Sequence, residues 1–530
     1  MTAPIVLLAE PLAPAAVEAL GPQVEIRHCD GSDRASLLAA VRDADALLVR
    51  SATRVDAEVL TAASRLKVVG RAGVGLDNVD LHAATRAGVT VVNAPTANSV
   101  TAAELTCGLI ISVARHIPQA NAALKDGLWR RSRYTGVELA DKTLGIVGLG
   151  RIGRLVAHRM RAFGMRLVAH DPHLSPLQAQ EAGAELVTLD ELLASADFIT
   201  VHLPRTAETT GLIGHDELQR AKPGVRIVNA ARGGIVDEQA LAAALQDGRV
   251  SAAGLDVFAT EPCTDSPLFA LDNVVSTPHL GASTVEAQDR AGSTVARAVR
   301  RVLNGELVDN AVNLHGTAPH AEVTRFLPLA EDLGRILTAL TDDLPLAGLD
   351  VEVHGPVTRY DVTTLERGVL TGVFAGTDGL RVTLVNAPLI ARDRIAAVRF
   401  TTCSESTHHT DQITLRGTLS DGRAVTVAGT LAGPRDIRRL TRIADHDIDL
   451  DITDRMVFLQ YKDTPGMIGT MGRILGEAGI NIAAMQVARV VEGGEAAVAL
   501  TVDNVVPAPL LEVIGEALRA TRAHFVDLTA

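Results

Sequence analysis

The chain has 530 residues, of which 47% are hydrophobic and 21% charged, with a formal net charge of −13; this is the balance of a soluble globular chain of about three or four domains, and the acidic excess argues against a nucleic-acid partner, which needs a basic patch. The four cysteines, Cys29, Cys107, Cys263 and Cys403, form no CxxC pair, which predicts reduced thiols in a cytosolic protein with neither a disulfide framework nor a metal site. The N-terminus lacks a basic signal-peptide region and carries Glu10 early, and no apolar run nears the ~20 residues of a membrane span.

Over the first hundred residues the runs IVLLA (5–9), ALLVR (46–50), KVVGRA (67–72) and VTVVNAP (89–95) read as strands, with helical text such as SLLAAVRDA (36–44) between them. This alternation predicts a parallel sheet with helices on its faces. From Asn98 a long helix is expected through NSVTAAELTCGLIISVARHIPQANAAL, capped by Asn98 or Ser99. A second and stronger βαβ series follows, with strands TLGIVGL, RLVAHD, FITVHL, RIVNAA, AAGLDVF and VVSTPH. The amphipathic stretch TVEAQDRAGSTVARAVRRVLNG (284–305) is expected to return the chain to the first unit. Residues 320–450 mix helix with alternating strands (VRFTT, ITLRGTLS, AVTVAGTL) and carry no catalytic signature; the adjacent His408 and His409 are spaced poorly for a shared metal and read as a surface pair. From Met456 the order is βαββαβ, that of a ferredoxin-like fold.

Gly148-x-Gly150-x-x-Gly153 follows an apolar strand and leads into a helix, the context a dinucleotide fingerprint requires. Gly148 permits the tight turn, Gly150 the approach of a diphosphate, and Gly153 close packing of helix on strand, while the helix start offers free N–H groups. Asp171 ends the next strand, placed to accept from ribose hydroxyls; with Pro172 and His173 after it and no arginine, it favours NAD over NADP. The loop RAGVGLDNVD (71–80) has two glycines but no third, and reads as a small-anion loop or a plain turn.

Three further motifs lie near strand ends: NAARGGIVDE with Arg232, GLDVFATEP with Asp256 and Glu261, and TPHLGAS with His279. Oxidising a 2-hydroxy acid needs a base for the hydroxyl proton, and histidine suits it. Glu261 is the carboxylate that would orient the imidazole, and Arg232 the fork that would hold a substrate carboxylate. Each residue alone is more often structural; their order after a dinucleotide fingerprint reverses that weighting.

Together GLGRIG, HDP, NAARGGIVDE, GLDVFATEP and TPHLGAST resemble the D-isomer-specific 2-hydroxyacid dehydrogenases, and VGRAGVGLDNVD with NAPTANSVTAAELT resembles their phosphoglycerate dehydrogenase branch. The resemblance spans residues 3–315 and implies catalytic roles for Arg232, Glu261 and His279. It implies NAD contacts at Gly148, Gly150, Arg151, Ile152, Gly153, Asp171, Pro204, Ala230, Ala231, Asp256, Gly281 and Ala282. Arg50, Arg71, Gly73 and Val74 would lie at the substrate, the two arginines at a phosphate, and WRRSR (129–133) would offer a cation to a neighbouring subunit. Two departures stand out: Leu203 where many relatives have Thr, and Cys263 after Pro262 where Pro is usual, read as an inert thiol.

The segment YKDTPGMIGTMGRILGEAGINIAAM (461–485) resembles the ACT family of amino-acid-sensing modules. That resemblance implies feedback inhibition by L-serine at paired ACT domains, with Tyr461, Asp463 and Asn481 at the effector site, against the simpler reading of a tail used only for assembly. Residues 320–450 resemble the intervening domain of the long bacterial form. The expected fold is α/β: a Rossmann-type NAD domain (98–283) inserted in a flavodoxin-like substrate domain (1–97 and 284–317), then an α+β intervening domain (318–453) and a ferredoxin-like ACT domain (454–530). The implied reaction is oxidation of 3-phosphoglycerate with NAD, by a homotetramer free of membrane and nucleic acid. The alternatives are a sister glyoxylate or hydroxypyruvate reductase and a non-catalytic NAD-sensing corepressor.

Overall fold

The computed structural model describes residues 3–314, 319–379, 381–406, 408–489 and 494–529. The boundary expected at 317/318, and Val490 at the end of the INIAAMQVARV reading, lie outside the described residues.

The first sheet holds Ile5–Leu8, Glu25–His28, Ala46–Val49, Val68–Arg71 and Thr90–Val92 in the order second, first, third, fourth, fifth, all parallel. This is the flavodoxin-like order. Its inner strands are apolar and buried because helices cover both faces. The edge strand Glu25–His28 is polar and exposed, so its apolar signal is missing from the sequence.

The second sheet has seven parallel strands in the order Val274–Ser276, Val250–Leu255, Val225–Asn229, Phe198–Val201, Thr143–Val147, Arg166–His170, Glu185–Leu186. The strand order reverses between Thr143–Val147 and Phe198–Val201, which opens a crevice at their carboxyl ends. The expected single helix after Asn98 is two, Ser99–Arg115 and Ile117–Lys125, bent by 66°. Pro118 has no N–H to give Ala114, whose carbonyl accepts from Val137 instead. Asn98 holds the N-cap position without a side-chain bond. The helix Val285–Leu303, capped by Thr284, packs on Pro14–Leu20 and on Val68–Arg71, closing the first unit around its own sheet.

The third sheet has six strands, Ala397–Cys403, Leu346–His354, Gln412–Leu419, Ala424–Ala432, Ile437–Ile443 and His446–Asp451, antiparallel except for the first pair. The fourth, of Ile482–Arg489, Glu495–Val502, Arg455–Lys462 and Arg522–Asp527, is wholly antiparallel in the ferredoxin-like order, with Met467–Glu477 and Ala508–Leu518 on one face. Its other face contributes Met456, Phe458, Ala499 and Val526 to the core of the third unit. The α/β class, with an α+β third unit and a ferredoxin-like fourth unit, is therefore as the sequence predicts. Among the described residues, no single helix is long and apolar enough to cross a membrane.

Candidate active site

The fingerprint glycines sit at the crevice. Gly148 has φ +93°, and a Cβ on Gly153 would stand 2.3 Å from the Gly148 carbonyl oxygen, so this turn tolerates no side chain at either place. A Cβ on Gly150 would meet nothing within 4 Å. That open face, at the start of the Arg151–Ala162 helix, fits a diphosphate. Asp171 accepts from Leu149 N–H at 3.0 Å and from His173 N–H at 3.0 Å, so it braces the glycine loop while each oxygen keeps a lone pair for a further donor. Arg151 reaches across to the Pro95 carbonyl at 3.1 Å, and Ile152 packs into the core beneath. Pro204 follows the Phe198–Val201 strand and is held through its carbonyl by Thr209. Leu203 lies over Gly148 and offers no side-chain hydrogen bond there.

The side chains expected to be catalytic come from loops after neighbouring strands. His279 has φ +54°, a left-handed backbone that only a well-held turn sustains. Asp256 holds it. That residue is 0% exposed, and its carboxylate accepts from Thr277 Oγ1 (2.6 Å), Leu280 N–H (2.7 Å) and Gly281 N–H (2.9 Å). Its carbonyl accepts from His279 N–H at 2.8 Å. Asp256, expected at the nicotinamide, also clasps the histidine turn that carries Gly281 and Ala282.

The His279 Nδ1 lies 2.5 Å from Glu261 Oε2, and the other Glu261 oxygen accepts from Phe258 N–H at 2.9 Å. The carboxylate is thus fixed, and a neutral imidazole that donates from Nδ1 leaves Nε2 free to accept a proton. Arg232 follows Ala230 and Ala231, whose turn is tied by Asn229: its amide donates to the Arg232 carbonyl and its oxygen accepts from Ala231 N–H. A Cβ on Gly233 would stand 1.8 Å from the Phe258 carbonyl oxygen, so the arginine loop and the glutamate loop lie against each other.

Arg232 faces the first sheet, with Nε 3.4 Å from Asp77 Oδ2. Arg71 ends the fourth strand of that sheet, and its Nε is buried without a partner. Burial, with the positive charge of Arg232 beside it, pushes the Arg71 guanidinium below its ordinary range; Arg50 pushes the same way, opposed by Asp77 and Glu10. Three arginines from two sheets therefore converge, one with a desolvated and unsatisfied N–H, an arrangement made for an anion. Gly73 leaves room for the Arg71 side chain, and its carbonyl and that of Val74 accept from Ala94 N–H and the Asn93 amide.

Residues 107–281 match the family model described as D-isomer specific 2-hydroxyacid dehydrogenase, NAD binding domain; residues 322–444 match the D-3-phosphoglycerate dehydrogenase intervening domain; residues 455–520 match the ACT domain. The chain is 51% identical over 529 residues to D-3-phosphoglycerate dehydrogenase of Mycobacterium leprae, covering 100% of both. It is 40% identical to that of Methanocaldococcus jannaschii, covering 96% of this chain and 97% of the relative. The chain belongs to the D-3-phosphoglycerate dehydrogenase family. Among solved structures, a glyoxylate reductase of Paecilomyes thermophila is similar at 34% identity and TM-score 0.54, over 59% of this chain and 99% of that one. That likeness stops short of the intervening and ACT units, which the full-length family members share. NAD is the cofactor of this NAD-dependent family, and the open Gly150 face and Asp171 are the groups of this chain that fit it.

For a member of the D-3-phosphoglycerate dehydrogenase family, several site residues escape a reading by motif. Glu10 and Asn78 brace the Arg50 loop, Asn229 braces Arg232, and Asp77 pairs with it. Glu10 lies two residues past the first strand, Ile5–Leu8, so the rule that ligands gather at strand carboxyl ends is the available signal. His202 is a further case: burial pushes its imidazole down to about 4, and Nε2 lies 3.1 Å from Thr200 Oγ1, a neutral group beside the glycine loop. Within WRRSR, Arg133 pairs with Asp272 of its own chain, while Trp129 is 77% exposed. Cys263 is half-buried, with Sγ 3.8 Å from the Asp265 carbonyl oxygen.

In the ACT unit the expected effector residues are separated. Asp463 follows one end of Arg455–Lys462 and pairs with Arg489 at 3.0 Å; Asn481 precedes Ile482–Arg489, which runs parallel one strand away, and donates to Asp503 at 2.9 Å. They stand at opposite ends of the sheet, about 25 Å apart by strand rise. One ACT unit cannot join both in a single site. Tyr461 is 1% exposed in the ACT core, beneath the Asp463 end and not at an open mouth.

Proposed function

We propose that the chain oxidises D-3-phosphoglycerate to 3-phosphohydroxypyruvate, the opening step of L-serine synthesis, in the cytoplasm. The observation that carries this reading is that Arg50 and Arg232 both bear on the buried Arg71, while the Arg232 loop lies against the loop that fixes Glu261 of the His279–Glu261 pair. Arg232 holds the substrate carboxylate and orients C2. Arg50 and Arg71 take the phosphate. His279 Nε2 accepts the C2 hydroxyl proton as the carbonyl forms, and Glu261 stabilises the imidazolium. When bound, NAD supplies the acceptor for the hydride that leaves C2. Gly148, Gly150, Arg151, Ile152 and Gly153 hold its diphosphate, Asp171 its ribose, and Pro204, Ala230, Ala231, Asp256, Gly281 and Ala282 line its nicotinamide side.

In this reading residues 1–97 with 284–317 bind substrate, 98–283 bind NAD, 318–453 couple subunits, and 454–530 sense L-serine in a homotetramer. The separation of Asp463 and Asn481 supports an effector site that draws one residue from each of two paired ACT domains.

The test is NADH consumption by the purified chain with 3-phosphohydroxypyruvate, with and without L-serine. Turnover that serine suppresses supports both assignments. Turnover indifferent to serine leaves the ACT unit an assembly element. Preference for glyoxylate or hydroxypyruvate moves the chain to the sister reductases, and binding of NADH without any turnover to the corepressor class.

A further inference from the structure

The turn Arg50–Thr53 follows the third strand of the first sheet and carries Arg50 to the anion pocket. Its backbone points several N–H groups to one place, a concavity of the kind that binds anions. The structure fills that concavity from within. Glu10 Oε1 accepts from Arg50 N–H at 2.8 Å and from Thr53 N–H at 2.9 Å, and Oε2 accepts from Ala52 N–H at 3.3 Å. Asn78 grips the same turn from its carbonyl side, donating to Arg50 at 2.8 Å and to Thr53 at 2.6 Å.

We propose that Glu10 is a positioning residue for substrate phosphate: its carboxylate occupies the backbone nest of the Arg50–Thr53 turn, so that Arg50 is held toward the pocket and the phosphate is left to guanidinium groups alone. The inference rests on the reading of Arg50 as a phosphate contact. Two physical points support it. Glu10 is bonded to three N–H groups and is therefore fixed, unlike the exposed Asp77. Glu10 also bears electrostatically on Arg71, where it offsets part of the repulsion from Arg232 and Arg50. It thus helps three cations share one pocket before any substrate arrives, without touching the substrate itself.

Such a residue should matter in proportion to the phosphate. In Glu10→Gln one amide oxygen can still serve Arg50 and Thr53, but the amide NH2 faces Ala52 N–H, so the turn loosens while the fold survives. We expect KM for 3-phosphohydroxypyruvate to rise about tenfold with kcat nearly kept, while kcat/KM for hydroxypyruvate, which lacks the phosphate, and KM for NADH change by less than about twofold. Arg50→Gln is the reference: the double variant should lose no more than Arg50→Gln alone, because Glu10 acts through that side chain. Equal losses for both substrates, or additive losses in the double variant, would reduce Glu10 to a structural residue and overturn the proposal. If the wild-type chain shows no preference for the phosphorylated substrate, the functional reading and this inference fall together. If the preference exists and Arg50→Gln abolishes it while Glu10→Gln does not, only this inference falls.

Discussion

His279 Nδ1 and Glu261 Oε2 stand 2.5 Å apart, joining two loops that are 18 positions distant in the chain. The pairing dedicates one ring nitrogen to a fixed carboxylate and frees the other. His279→Ala should lose turnover while NADH still binds, as read by fluorescence titration. Glu261→Gln should lower kcat by about ten- to a hundredfold, since it keeps the shape of the pair and removes the charge. Unchanged turnover in His279→Ala would remove the histidine from the mechanism.

The Arg232–Asp77 pair is of another kind. Asp77 is 74% exposed and Arg232 29%, a geometry in which an ion pair is weak. A Cβ on Gly75 would stand 2.4 Å from Arg232 Nη2 and 2.8 Å from Asp77 Oδ2, so the loop backbone is shaped to let the pair lie across it. In the proposed function a substrate carboxylate at Arg232 displaces Asp77. Asp77→Asn should therefore lower KM for 3-phosphohydroxypyruvate by about threefold and strengthen inhibition by sulfate to a similar extent. A rise in KM would show that Asp77 orients the arginine instead of competing for it.

Gly153→Ala should weaken NADH binding by more than about tenfold, because the new Cβ would meet the Gly148 carbonyl and force the fingerprint turn apart. Titration of NADH fluorescence checks it. Retained affinity would mean that the turn yields more easily than its geometry indicates.

For the ACT unit, Asp463→Ala and Asn481→Ala should each raise the serine concentration for half inhibition by about tenfold or more. The two ends of the sheet also make a sharper demand. A mixed oligomer of the two single variants should recover part of the response, since one kind of ACT pairing reunites an intact Asp463 with an intact Asn481. No recovery would overturn an effector site shared between two ACT units.

Asp332 lies in the core of the intervening unit beside Arg438. Burial pushes its carboxyl up to about 6 against the opposing attraction of Arg438. A carboxyl with its folded value raised above the ordinary one favours folding more as pH falls, first through about 6 and then toward the unfolded value. Relative to Asp332→Asn, the wild-type chain should therefore gain stability between pH 7 and pH 5. Thermal melts of both proteins at the two pH values read this, and parallel pH trends would contradict it.

Much of the dehydrogenase is legible in the sequence. The parallel strands announce themselves because both of their faces are buried, so they read as short apolar runs such as Ile5–Leu8 and Phe198–Val201. Gly148, Gly153, Arg232, Glu261 and His279 are legible for a different reason: each is the residue type that its turn or chemistry demands, in a fixed order along the chain. Polar edge strands such as Glu25–His28 carry no such signal, and the break at His116 depends on where the Ala114 carbonyl finds a new donor.

What only tertiary structure decides is which groups share a space. The sequence alone determined the class of fold, the glycine turn and the types of the catalytic side chains, because these follow from local backbone demands and from burial periodicity. It held no sign that Asp256 would be the clasp of the histidine turn, that Glu10 would fill the nest beneath Arg50, or that Asp463 and Asn481 would stand at opposite ends of one sheet. Those relations arise from strand order and register, which bring together residues far apart in the chain and separate others that are near, and electrostatics and hydrogen bonding act on the resulting distances in space.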